Sequence, residues 1–260
     1  ENGAGKTVLM SILYGLYQPD AGRIYYKGRP ITIRSPRDAI RLRIGMVHQH
    51  FMLVPTLTVV ENLVLGQYPF HRILHDLDVV AQRIRSLGEE FGLNVNPYAI
   101  CGELSVGEQQ RVEILKALFH GADLLILDEP TAVLTPQETS QLLTFLRQLV
   151  NKGLTIIFIT HKLEEVMKVS DRVTVLRQGK VVAVVNTADT NPRELAKMMV
   201  GRPVLMELPR TRCALGDTVL SVRNLHVSDE RGLPAVKGVS FDVHCNEVVG
   251  IAGVSGNGQT

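Results

Sequence analysis

Glu1-Asn2-Gly3-Ala4-Gly5-Lys6-Thr7 is the stretch on which the fold class turns. It carries all of G-x-x-x-x-G-K-(S/T) except the first glycine, which falls one position before residue 1, so the chain reads as a fragment. In such a loop the backbone of Asn2, Gly3, Ala4 and Gly5 curls its N–H groups around a nucleotide's phosphates. Lys6 reaches the β- and γ-phosphates, and the Thr7 hydroxyl holds Mg²⁺. The apolar run Val8 to Tyr14 then places a helix N-terminus under the loop, where partial positive charge favours an anion. Taken alone, the same residues could be a Gly-rich turn opening a helix; the rest of the chain decides.

Four further segments supply parts that phosphoryl transfer needs. Leu124-Leu125-Ile126-Leu127-Asp128-Glu129-Pro130 reads as a buried parallel strand delivering two acids to its carboxyl edge, where open α/β sheets bind ligands. Asp128 there holds Mg²⁺ through water, and Glu129 polarises the attacking water. Gln49 follows the short apolar strand at Gly45-Met46-Val47; its neutral amide can touch Mg²⁺ or the lytic water and still swing away. His161 ends the strand pattern Thr155 to Thr160 and is placed for a γ-phosphate oxygen. Last, Leu104-Ser105-Val106-Gly107-Glu108 forms an S-x-x-E capping box, so a helix starts there with its dipole aimed past Gly107. That end wants a phosphate, although the phosphate loop is already accounted for.

LSVGEQQ between the GAGKT loop and LLILDEP, with Gln49 and His161 in order, resembles the ATP-binding cassette (ABC) ATPases along essentially the whole chain. The resemblance implies that the helix after Ser105 and Gly107 binds ATP held by an opposite cassette, two cassettes sandwiching two nucleotides. His50 to Thr58, then Glu61-Asn62, and the run Thr131 to Glu138 look like the importer type serving nucleosides and simple sugars. Thr135 stands where many cassettes place an aspartate. The wording EQQRVEILKAL leans toward the nucleoside members.

Composition sets bounds. A chain of 260 residues with 45% hydrophobic residues holds one full domain and part of another. No stretch approaches the ~18 consecutive apolar residues of a membrane span, so a channel must be another polypeptide. With 28 basic and 26 acidic residues, a net charge of only +2 gives no basic face, which disfavours nucleic acid as partner. Cys101, Cys213 and Cys245 are few and widely spaced, matching a reducing compartment and no zinc or redox motif.

Alternating apolar strands and periodic helices predict an α/β P-loop core over residues 1–202. Residues 53–119 interrupt the strand pattern as an inserted helical subdomain, with Val79, Val80, Ile84, Leu87 and Phe91 at helical spacing. Leu142, Phe145, Leu146 and Leu149 form a second amphipathic face stopped by Gly153. Arg172 to Val182 reads as a hairpin. After a linker over 203–216, residues 217–260 repeat the opening of a cassette: two strand patterns, then Gly253 to Thr260, a second phosphate loop with Gln259 where Lys belongs. Losing that ammonium removes charge stabilisation of the phosphates. Two unequal sites are expected. The better one uses Lys6, Thr7, Gln49, Asp128, Glu129 and His161; the weaker joins Gly256, Gly258 and Thr260 to Ser105 and Gly107.

As the resemblance implies, ATP-driven closure of two cassettes of one full-length chain powers uptake through two transmembrane permease subunits fed by a solute-binding protein. The place is the cytoplasmic face of the membrane. A soluble tandem-cassette ATPase acting on ribosomes or DNA is the competing class; it would carry a long charged linker, or cysteine clusters and a basic face.

Overall fold

The structure, a computed structural model, describes residues 3–49, 51–65, 77–202, 214–228 and 232–251. The chain divides into two compact units, Glu1–Val204 and Leu205–Thr260.

In the first unit the core is a parallel sheet of β3 (Ile44–Val47), β4 (Leu124–Asp128) and β5 (Thr155–Ile159), in that order. Register runs Ile44↔Leu124 to Val47↔Leu127 on one side of β4 and Leu124↔Thr155 to Asp128↔Ile159 on the other. The unbroken apolar runs are explained by burial on both faces. Successive side chains alternate between faces: Leu125 and Leu127 join one hydrophobic cluster, while Ile126 joins the other. The first face is covered by α5 (Val106–Phe119) and α6 (Pro136–Asn151), through Val112, Leu115, Leu142 and Leu146. The second is covered by α1 (Lys6–Leu13) and α2 (Pro36–Arg41), through Met10 and Ala39. Gly45 permits the closest of these approaches, since a Cβ there would stand 2.8 Å from the Ala117 Cβ.

Between β3 and β4 the described residues are helical: α3 (Val59–Val64), α4 (Leu77–Phe91) and α5. The face read from α4 is largely the buried one. Ile84 and Leu87 are in the core and Val80 and Phe91 pack against it, but Val79 is exposed and Ala81 takes the buried position. Three reciprocal capping boxes set helix starts: Thr58 with Glu61, Ser105 with Glu108, and Thr135 with Glu138. Thr135 thereby acquires a local role as N-cap of α6, a position that an aspartate fills equally well. Gly153, at φ 94°, ends that helix in the left-handed conformation.

The small antiparallel pair β1 (Ile24–Tyr26) and β2 (Arg29–Ile31) was not legible from pattern. Three residues per strand are too short for a period. After α7 (Leu163–Val169), the strands β6 (Arg172–Arg177) and β7 (Lys180–Asn186) form the expected hairpin. Its turn, Gln178 and Gly179 at φ 49° and 72°, has the paired positive φ of a type I′ turn. The Gly179 N–H donates to the Ala4 carbonyl at 3.2 Å, so the hairpin tip rests on the phosphate loop. α8 (Pro192–Val200) closes the unit.

The second unit, where described, is an antiparallel pair, β8 (Thr218–Ser228) and β9 (Pro234–His244), with several register shifts. Residues 203–213 and 252–260 lie outside the described residues, and with them the linker's centre and Gly256, Gly258, Gln259 and Thr260.

Candidate functional site

The phosphate loop owes its shape to two glycines. Gly3 and Gly5 hold φ 85° and 89°, values that favour glycine, and α1 begins at Lys6 directly after them. Ala4 between them is buried. At the second residue of α1, the Thr7 hydroxyl donates to Asp128 Oδ1 at 3.5 Å. Asn2 lies outside the described residues.

Asp128 is the last residue of β4 and is 2% exposed. Burial pushes its carboxyl up from the ordinary value, the Thr7 hydroxyl pulls it partly back, and neighbouring Glu129 adds to the rise. A cation set against these oxygens favours the ionised form again. Hydroxyl and carboxylate oxygens are the hard donors that Mg²⁺ takes, so the pair fits that ion.

Glu129 leaves the strand at φ 47°, left-handed for a residue with a side chain. Its N–H donates to the Ile159 carbonyl at 2.9 Å, tying it to the end of β5. Two residues on, His161 turns back so that its Nδ1 lies 3.1 Å from Glu129 Oε1. The Glu129 side chain is 17% exposed and that of His161 50%, so the acid is sheltered and the imidazole opens to solvent.

The β3–β4 register carries His48 level with Asp128 and leaves Gln49 exposed one residue beyond. Burial lowers the His48 imidazole from its ordinary value although the Asp128 charge raises it, and its ring meets Tyr14 edge-on at 5.9 Å. The sheet therefore gathers Thr7, Asp128, Glu129 and His161 at one carboxyl edge, with Gln49 on the same edge.

Ser105 and Gly107 are placed elsewhere. They line a cavity of about 600 Å³ together with Arg111, Leu134, Glu138 and Phe145. The reciprocal cap is made: Glu108 N donates to Ser105 Oγ at 3.4 Å, and Ser105 N donates to Glu108 Oε2 at 2.9 Å.

Sequence reading missed two buried acids. Glu165 sits behind His161 and accepts from Thr131 and Thr160 hydroxyls. Glu113 on α5 accepts from the Met52 N–H at 2.6 Å, joining that helix to the segment after Gln49. Both look like solvated helix acids in sequence, and only tertiary packing buries them.

Similarity to known proteins fits this geometry. The glucose import ATP-binding protein TsgD13 of Haloferax volcanii is 51% identical over 287 residues, covering all of this chain and 52% of that protein. The nucleoside import ATP-binding protein NupA of Lactococcus lactis subsp. cremoris is 49% identical over 260 residues, covering all of this chain and 51% of that one. The chain thus spans about half the length of the curated relatives it matches. Among solved structures, cbiO1 of Clostridium perfringens, part of an ABC transporter complex, superposes with a TM-score of 0.61 at 28% identity, over 77% of this chain and 78% of that one. The architecture is accordingly the α/β P-loop fold of an ABC ATPase cassette. The pattern defining ABC transporters matches residues 1–132, a span reaching from the loop that opens α1 through the strand that ends in Asp128, and the chain belongs to that family.

Proposed function

We propose that this chain is part of the ATP-binding and ATP-hydrolysing subunit of an importer for nucleosides or simple sugars. The observation that carries the reading is the convergence of Thr7, Asp128, Glu129 and His161 on the carboxyl edge of one parallel sheet. The loop of Asn2, Gly3, Ala4 and Gly5 cradles the phosphates with backbone N–H groups, and Lys6 neutralises their charge. Thr7 and Asp128, joined by Gln49, hold Mg²⁺, which when bound offsets charge on the phosphate oxygens. Glu129 takes up the proton of the attacking water, and its sheltered position beside a half-exposed imidazole keeps the acceptor oriented. His161 reaches the γ-phosphate.

Ser105 and Gly107 present the amino end of α5 to a second nucleotide. That nucleotide is held by the second cassette of the same full-length polypeptide, whose loop supplies Gly256, Gly258 and Thr260 and carries Gln259 in place of Lys. In this division residues 1–202 are the first cassette with a helical subdomain over about 53–119, residues 203–216 the linker, and residues 217–260 the opening of the second cassette.

Among the described residues no helix is long and apolar enough to cross a membrane. In this reading two transmembrane permease subunits form the path, with a solute-binding protein delivering cargo and the ATPase on the cytoplasmic face. The import roles in the relatives' names support it over a soluble ATPase on ribosomes or DNA, and the near balance of charge is in keeping with it.

Turnover by the full-length protein tests the site. Glu129→Gln is expected to lower ATP hydrolysis by about 10²–10⁴-fold, the usual range for loss of a general base, while nucleotide binding persists. Unchanged hydrolysis in that variant would refute the assignment.

A further inference from the structure

Directly behind the Glu129 and His161 pair sits a carboxylate to which the chemistry above gives no part. Glu165, near the start of α7, is 5% exposed, a state acids rarely reach unless paired. Its described partners come from the two segments that carry the pair. Thr131, two residues after Glu129, donates its hydroxyl to the carboxylate, with Oγ1 2.7 Å from Oε1 and 2.8 Å from Oε2. Thr160, immediately before His161, donates its hydroxyl to Oε2 at 3.0 Å.

Lys162, immediately after His161, completes the set. Its Nζ is 3.3 Å from Glu165 Oε1 and donates to the Thr131 carbonyl at 2.9 Å. The Lys162 N–H also donates to Thr160 Oγ1 at 3.0 Å. One buried charge thus accepts from the chain on both sides of the site, and a carboxylate is the acceptor able to bind two hydroxyls and an ammonium at once.

We propose that Glu165 is a positioning residue for ATP hydrolysis: by clasping Thr131 and Thr160 it holds the ends of β4 and β5 so that Glu129 and His161 face each other. The inference rests on the roles given above to those two residues. Glu129 needs such support because its left-handed backbone is unfavourable for a residue with a side chain and persists only where neighbours over-determine it. The Ile159 carbonyl restrains it from one side. The Thr131 clasp restrains it from the other. Without Glu165, the buried Thr131 hydroxyl and the half-buried Thr160 hydroxyl lose this acceptor, Lys162 keeps only the Thr131 oxygens, and the turn carrying Glu129 is free to relax away from His161.

The test is steady-state ATP turnover by the full-length protein carrying E165A, E165Q or T160V, each alone and combined with H161A, with thermal unfolding of every variant recorded. E165A is expected to lower kcat about tenfold or more with KM for ATP within about twofold, the signature of lost transition-state alignment. E165Q should recover part of the loss, because its amide oxygen still accepts from one threonine. In the H161A background E165A should add nothing, since the clasp acts through that pair.

Equal losses from E165A with and without His161, or a raised KM at unchanged kcat, overturn the proposal. Should E165A fail to fold, T160V removes a single donor and must show the same dependence on His161 at smaller amplitude. E129Q run in parallel separates the two readings. If it turns over normally, the site assignment falls and the clasp with it; if it is inactive while E165A and H161A are independent, only the clasp falls.

Discussion

At the scale of single residues, chemistry at a sheet edge is set by how each side chain is desolvated. Asp128 and Glu129 are neighbours in sequence, yet one is almost wholly buried against Thr7 and the other meets a half-exposed imidazole. Their place at the end of a buried strand was legible, because an apolar run closed by acids gains a use once a phosphate loop lies in the same chain. Glu113 was not legible, lying in a helix of otherwise ordinary composition. Burial holds its carboxyl above the usual carboxylate range, against the pull of Lys116 and the Met52 N–H. Since the folded value lies above the unfolded one, its contribution to stability is fully present below the ordinary Glu value of about 4.3 and is lost as pH rises through the folded value. Glu113→Gln keeps an oxygen for the Met52 N–H and removes the titration. It should melt higher than the native chain at pH 7.5, by about 2–4 °C for each kcal/mol gained, and converge with it near pH 4. Thermal melts across that range decide the matter, and a lower melting point for the variant at pH 7.5 refutes it.

At the scale of elements, the caps and close approaches carry the argument. Thr135 caps α6 through its hydroxyl and is reached in return by Glu138. Thr135→Ala should cost about 1 kcal/mol and Thr135→Asp close to nothing, because either an Asp or a Thr oxygen serves the same N–H. Denaturant midpoints for the two variants check this; equal destabilisation by both contradicts it. Gly45 makes a different demand. Its missing side chain lets α5 lie directly on β3, and a methyl there would meet the Ala117 Cβ at 2.8 Å and the Ala122 Cβ at 3.1 Å. Both neighbours are stubs that cannot rotate away, so Gly45→Ala should cost about 1–3 kcal/mol through overpacking. The same unfolding measurement reads it, and a neutral result would mean that helix and strand separate freely. The capping boxes could be spotted from spacing alone, whereas the tight β3–α5 contact could not, because Gly45 reads equally well as a weak strand residue.

At the scale of the whole chain, the two units differ in what protects them. The first has a parallel sheet buried between two helical layers; β8 and β9 of the second leave most of their side chains exposed. A two-stranded ribbon is marginal in water by itself. Amide exchange of the 260-residue chain is therefore expected to be at least about 10²-fold faster across β8 and β9 than across β4, since protection tracks local stability. Comparable protection in both sheets would contradict this.

The sequence by itself determined the class of the molecule: a phosphate loop, an apolar strand tipped with acids, and an S-x-x-E helix start are local signals, written in residues adjacent or three apart. Those patterns follow from backbone geometry and need no distant partner. Tertiary structure alone decided which acids are solvated and which are buried. Glu164 and Glu165 are neighbours with the same side chain, yet α7 turns only the second onto Thr131 and Thr160. Desolvation depends on what packs from elsewhere in the chain, and no local pattern encodes it.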